Sequence, residues 1–319
     1  MNERRLNFLM KKTALVTHEE CLQHLTPPGH PEQVARLEYI LEALKDINLL
    51  RVSAPMAADD DILRIHPRAH INYLQEAVPE NGFKSLDGDT HISSGSLTAA
   101  YRAAGGVLRA VDLVLSGEAK NAFVAVRPPG HHAETQKSMG FCLFGNIALG
   151  VKHALDFHGL KKVAVIDFDV HHGNGTQEIL WDESRCLTFT SQQIPLWPGT
   201  GTEEEQGHYN NIVNIPLPPG STGELMRQKY EVLVFPVLRK FEPDLILISA
   251  GFDAHEADPL AELNWSKADF SWLTERLCEI AEECCEGRLV STLEGGYDLK
   301  ALADSVKAHV TKLCEALYD

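Results

Sequence analysis

Two aspartates and a histidine at alternate positions, Asp167, Asp169 and His171, are the residues of this sequence best equipped for chemistry. They close an apolar run, Val163-Ala-Val-Ile, that has the length and composition of a strand buried on both faces of a parallel sheet. Strand side chains alternate, so Val163, Val165, Asp167, Asp169 and His171 are expected on one side, with Ala164, Ile166, Phe168 and Val170 on the other. One face thus changes from valine to Asp-Asp-His at a C-terminal strand end, where open α/β sheets place their ligands. Two carboxylates and an imidazole buried without a partner are costly, and a bound metal cation offsets that cost. An Asp-x-Asp by itself also reads as a carboxylate pair capping the next helix, with His171 filling space. The His171-His-Gly-Asn-Gly run that follows tips the reading toward a site.

A second set of titratable groups follows a second apolar run. Ala122-Phe-Val-Ala-Val leads into Arg127-Pro-Pro-Gly-His-His-Ala, so His131 and His132 fall just past a strand end. If the sheet is parallel, that is the same edge as the Asp-Asp-His cluster. Ser249-Ala-Gly-Phe-Asp-Ala-His and Glu294-Gly-Gly-Tyr-Asp stand in the same relation to the last two apolar runs.

The elements that must position these groups alternate along the chain. Strands are expected near residues 10–16, 122–127, 163–171, 186–192, 212–217, 245–251 and 289–293. Helical periodicity covers 33–50, 68–77, 97–115, a stretch ending at His158, 224–240, 267–285 and 299–317, with a short helix opening at Asp59. Pro31 suits the first turn of the 33–50 helix, which His30 and Arg36 would cap and decorate. Residues 81–96, rich in Gly, Asp and Ser, form a loop of a length that is often functional. Gly105-Gly106 marks a close helix contact. Alternation throughout, without repeat or linker, gives a three-layer α/β fold with a largely parallel sheet, one domain over 1–319 with a short extension at 1–9.

Bulk properties set wide limits. The 319 residues, 44% hydrophobic and 23% charged, are ordinary for a globular chain with an ample core. A formal net charge of -16 argues against a general nucleic-acid-binding or anionic-membrane surface. Seven cysteines without a Cys-x-x-Cys pair read as reduced thiols in a cytoplasmic protein, and the adjacent Cys284 and Cys285 as packing residues. Met10-Lys-Lys-Thr-Ala-Leu-Val looks like the start of a secretory signal, but His18-Glu-Glu breaks it too early. No run has the length of a membrane span.

Taken in order, Arg127-Pro-Pro-Gly-His-His-Ala, Gly140-Phe-Cys-Leu-Phe-Gly-Asn, Asp167-Phe-Asp-Val-His-His-Gly-Asn-Gly, Ser249-Ala-Gly-Phe-Asp-Ala-His and Glu294-Gly-Gly-Tyr resemble the motifs of the zinc-dependent histone deacetylase superfamily. The resemblance runs from Gly29-His-Pro-Glu to Tyr297. Asn174, where class I members carry Asp, is similar to the class II branch and its bacterial relatives, among them acetoin-utilisation and acetylpolyamine deacetylases. The resemblance implies an arginase-like fold around an eight-stranded parallel sheet. It also implies a catalytic zinc ion on Asp169, His171 and Asp253, a donor set that would also hold iron(II). Gly173 stands where arginases hold a second metal with Asp, so one metal is expected. His131 and His132 match the tandem active-site histidines, oriented by Asp167 and Asn174, and Tyr297 matches the oxyanion donor. Gly140, Phe141 and Trp197 match the walls of an acyl-lysine tunnel, and Asp167 with Thr190 a structural potassium site.

The implied function is removal of acetyl or related acyl groups from lysine side chains of peptides or proteins, or from small amines, with no direct nucleic-acid or membrane partner and the oligomeric state left open. A silent acyl-lysine-binding module is the alternative of a different class. Acetylpolyamines are a further alternative: polyamine-selective members carry an acidic residue after an Asp-Pro pair, where this chain reads Asp258-Pro259-Leu260. Glu262 or the loop at 87–91 would have to replace that acid.

Overall fold

The computed structural model describes residues 11–316. The proposed extension at 1–9, Met10 of the first strand and Leu317 of the last helix lie outside the described residues. Eight strands form one all-parallel sheet: β1 (Ala14–Thr17), β2 (Leu50–Ser53), β5 (Asn121–Val124), β6 (Val163–Asp167), β7 (Cys186–Gln193), β8 (Ile212–Leu217), β9 (Leu245–Ala250) and β10 (Leu289–Leu293). A separate two-stranded hairpin pairs β3 (Lys84–Ser85) with β4 (His91–Ile92). The order across the large sheet is β2-β1-β5-β10-β9-β6-β7-β8. Every side chain of β5, β6, β7, β9 and β10 is buried, as strands covered by helices on both faces require. Full burial of each Val, Leu or Ile contributes about 1.5–3 kcal/mol. Among the described residues, no helix is long and apolar enough to cross a membrane.

The short helix at Asp59–Ile62 and the helices at Arg68–Ala77, Ser96–Leu115 and Lys267–Cys285 lie where the periodicity places them. The 33–50 helix does not. It runs only from Ala35 to Ala43, and Leu50 opens the edge strand β2, its amide donating to the Thr13 carbonyl at 2.9 Å. The apolar spacing of Leu44, Ile47 and Leu50 mimics a helix because all three pack on the same core, Leu44 and Ile47 from the connecting turn and Leu50 from β2. Pro31 therefore lies ahead of the helix, not in its first turn. The helix ending near His158 and the 224–240 helix each contain a π-helical turn, His153–Phe157 and Tyr230–Val234. At Gly105 a side chain would strike the Pro55 carbonyl, so helix and loop meet there backbone to backbone.

Candidate active site

The sheet brings every expected site residue to one edge. β6 ends at Asp167, so Asp169 and His171 are held by a loop rather than by strand alternation. That loop keeps the two-residue spacing because carboxylates fold it: Asp167 Oδ1 accepts the Asp169 amide at 3.1 Å and Asp169 Oδ1 the His171 amide at 2.9 Å. Asp253, after β9, accepts the Val170 amide at 2.8 Å. His171 Nδ1 then lies 3.1 Å from Asp169 Oδ1 and 3.1 Å from Asp253 Oδ2.

These three buried groups offer ligand atoms within 4.8 Å of one another. Burial and the neighbouring Asp169 charge push the Asp253 carboxyl up. Burial opposes a charge on His171, but its bonds to Asp169 and Asp253 outweigh that and push it up to about 10. The cluster thus draws in a proton to balance its carboxylates, the condition a divalent cation relieves. Backbone closes around it. A side chain at Gly251 would run into the Asp169 carboxylate, and one at Gly295 into those of Asp253 and Asp169. Two carboxylates and one imidazole fit a zinc ion with an open position.

His131 and His132 follow β5, with ring centroids 3.9 Å apart, and are shifted in opposite directions by their surroundings. His131 Nδ1 bonds Asp167 Oδ2 at 2.9 Å; burial would lower this imidazole, yet Asp167, Asp169 and Glu294 together hold it well above its ordinary value. His132 is held well below its ordinary value by burial and by the charges of His131 and His171. Its Nδ1 meets Asn174 Oδ1 at 2.8 Å. Asn174 Nδ2 donates to Glu134 Oε1 at 2.8 Å, and a carboxylate accepts only. This fixes the amide oxygen toward His132, which donates from Nδ1 and leaves Nε2 as its basic atom. A side chain at Gly173 would collide with Asp167 Oδ2 and approach His131 Nδ1 to 3.3 Å, so an aspartate there would break the Asp167–His131 pair.

A cavity of about 360 Å³ opens onto these groups. His132, His171 and Tyr297 line it with Gly140, Phe141, Trp197 and Leu260, and His30, Asp89 and His91 stand with them. Trp197, 41% exposed, packs across His132 at 4.7 Å between centroids. Phe141 stands 5.8 Å from the Tyr297 ring and adopts φ 68°, a left-handed conformation that bulky residues avoid. Gly140 before it passes so close to His132 and Trp197 that a side chain would overlap both rings. The 81–96 loop supports this wall, Thr90 Oγ1 accepting the Phe141 amide at 3.0 Å. A cavity of similar size between the two C-terminal helices is lined mainly by glutamates and has no such convergence of imidazoles.

Three supporting residues have roles that the sequence did not reveal. Arg36, expected as helix decoration, is fully buried: its Nε donates to the Gly296 carbonyl at 2.6 Å and its Nη2 to that of Glu294 at 2.5 Å. Its guanidinium lies 5.0 Å from the Tyr297 ring centroid, and Glu32 ties it to Arg127. Glu294 Oε2 accepts the Gly130 and His131 amides and Oε1 the Ser249 hydroxyl. Glu134 fixes Asn174, as above. Of the three, only Glu134, two places after His132, gives a local signal in the sequence. His30, likewise expected on the helix, instead donates from Nε2 to the Asp89 carbonyl at 2.9 Å and faces the cavity. Tyr297 follows β10; its amide bonds Asp258 Oδ2 at 2.7 Å, and its hydroxyl hydrogen-bonds to none of the described residues. Burial, then the Asp253 charge, holds the phenol well above its ordinary range, so it stays a donor.

Residues 30–313 match the model of the histone deacetylase domain family. A probable deacetylase of Archaeoglobus fulgidus is 39% identical over 90% of this chain and 82% of its own length. A histone deacetylase-like amidohydrolase of Pseudomonas aeruginosa is 38% identical over 91% and 82%. The crystal structure of the HDA15 HD domain superposes with a TM-score of 0.90 at 31% identity, covering 96% of this chain and 88% of that one.

Proposed function

Because the chain belongs to the histone deacetylase domain family, we propose that its 319 residues form one deacetylase domain that hydrolyses acyl-lysine side chains or similar acylated amines with a single zinc ion. The observation that carries this is the convergence of Asp169, His171 and Asp253 with a neutral His132 and a protonated Tyr297 on one cavity. A silent binding module would have no use for the full set. When bound, zinc supplies polarisation of the amide carbonyl and acidifies the attacking water. His132 Nε2 takes the proton as the water attacks and returns it to the departing amine nitrogen. Tyr297 Oη donates to the oxyanion, and the His131 imidazolium, paired with Asp167, adds positive charge beside it. Asp167 and Thr190, buried register partners on β6 and β7, are the residues proposed for potassium. Seven free cysteines fit a cytoplasmic location.

For the substrate, Leu260 lines the cavity and cannot pair with a cationic chain, which favours a neutral alkyl-amide side chain. The second reading, acetylpolyamines, draws support from Asp89, which lines the same cavity, whereas exposed Glu262 does not. The test is kcat/KM on an acetyl-lysine peptide and on N8-acetylspermidine, with and without chelator, in wild type and Leu260→Glu. Chelation is expected to abolish turnover and zinc to restore it; the peptide is the better wild-type substrate, and Leu260→Glu moves the ratio toward the polyamine. A wild-type preference of about tenfold or more for the polyamine, worth about 1.4 kcal/mol, would overturn the peptide reading.

The Asn174 contact gives a pH prediction. A carboxylate facing His132 Nδ1 favours the imidazolium, which cannot accept a proton, so Asn174→Asp is expected to move the acid limb of kcat/KM upward by about one pH unit. Glu134 then faces a like charge 2.8 Å away, and activity at the optimum falls as well. Adding Glu134→Gln should recover the optimum while keeping the shifted limb. An acid limb that stays put or moves downward in Asn174→Asp contradicts the assignment of His132 as base.

A further inference from the structure

We propose that Asp112, His153 and His158 form a second metal site, remote from the first, that takes a divalent transition-metal ion of the zinc or nickel type. His153 Nε2 and His158 Nε2 each lie 2.7 Å from the same atom, Asp112 Oδ1. The ligand atoms all fall within 4.8 Å of one another, and the two imidazole rings stand perpendicular with centroids 4.9 Å apart.

Backbone geometry builds this convergence. Residues five apart in an α-helix point about 140° away from each other. Here the chain makes a π-helical turn at His153–Phe157, closed by the His158 amide on the His153 carbonyl at 3.1 Å, and both imidazoles turn onto one face. That face meets Asp112 near the end of the Ser96–Leu115 helix. Phe157, 65% exposed, stacks on the His153 ring at 4.8 Å and 11°, and so fixes its plane. The side chains of His153, His158 and Asp112 are 7%, 25% and 36% exposed, which holds one ligand rigid and leaves an open path from solvent.

Two imidazoles and one carboxylate suit zinc or nickel, with water completing the coordination. Metal–ligand bonds of about 2.0–2.2 Å in a tetrahedral site put ligand atoms about 3.3–3.6 Å apart, so the 2.7 Å contacts must open by about 0.6–0.9 Å. The partly exposed His158 and Asp112 can move that far. The segment enters β6 at its N-terminal end, whereas Asp169 and His171 follow its C-terminal end, a five-residue strand of about 16 Å away. An ion here would clip residues 153–158 to the Ser96–Leu115 helix and act on stability, not on the reacting groups.

The experiment uses the full chain, stripped with chelator, desalted and titrated with zinc alone, with bound metal measured by elemental analysis. Wild type is expected to retain two equivalents and His158→Ala or Asp112→Asn one, at unchanged deacetylase activity. Zinc should raise the Tm of Asp253→Ala, in which only this cluster remains, but not that of Asp253→Ala/His158→Ala. One equivalent in wild type, or two in His158→Ala, overturns the second site. Two equivalents in Asp253→Ala would instead overturn the catalytic assignment, so the two failures are distinct. Should Asp112→Asn fail to fold, His158→Ala and the Asp253→Ala titration decide the matter without it.

Discussion

Asp253→Ala is expected to retain one metal equivalent fewer than wild type and to lose hydrolysis. Among the described residues, three groups offer ligand atoms to the site, and Asp253 is one of its two carboxylates. Loss of a supporting outer residue at a metal site costs about 10–100-fold in affinity or activity, and loss of a ligand must exceed that. Turnover should therefore fall below any rate that added zinc restores. The variant also removes a carboxylate that burial and Asp169 already disfavour in the metal-free protein. Its secondary structure should be intact, although the Val170 amide loses its acceptor. Circular dichroism, elemental analysis and turnover on an acetyl-lysine peptide check this together. Full metal occupancy with a folded variant would sink the ligand assignment.

Tyr297→Phe should lower kcat by roughly 10²–10³ with metal content and fold unchanged, the cost of one oxyanion donor. The ring is held from three sides, by the amide bond to Asp258, the Arg36 guanidinium and the edge of Phe141. Phenylalanine keeps all three, because none uses the hydroxyl. The change therefore isolates the donor. If the hydroxyl acts mainly in the transition state, KM stays near its wild-type value while kcat falls. A kcat within a few-fold of wild type would show that the phenol does not reach the reacting carbonyl.

How far the site was legible in the sequence depended on how local its causes are. Asp167, Asp169 and His171 could be read because each carboxylate folds the next two residues, so spacing along the chain survives as spacing in space. The histidine pair and Tyr297 could be placed at the same edge because parallel strands deliver their C-terminal ends together. Arg36 could not be read. Its function is defined by the carbonyls of Glu294 and Gly296, about 260 residues later, and an arginine in a short amphipathic helix looks like surface. The π-helical turns were equally hidden, since the apolar pattern through them differs little from that of an α-helix. Strand β2 was lost to the helix before it because it is only four residues long, too short for its alternation to stand out against the helical spacing that runs into Leu50.

The strand order has a consequence for how the molecule comes into being. β10 lies between β5 and β9, and without it the sheet falls into two pieces, β2-β1-β5 and β9-β6-β7-β8. The first piece ends in the histidine pair and the second carries Asp169, His171 and Asp253. The strand that hydrogen-bonds both, and that brings Glu294 and Tyr297 with it, begins at residue 289. On a ribosome, the histidine pair and the Asp169, His171 and Asp253 cluster are therefore made before the strand that joins their two pieces into one sheet. Both pairings of β10, with β5 and with β9, must register before the two pieces share one sheet.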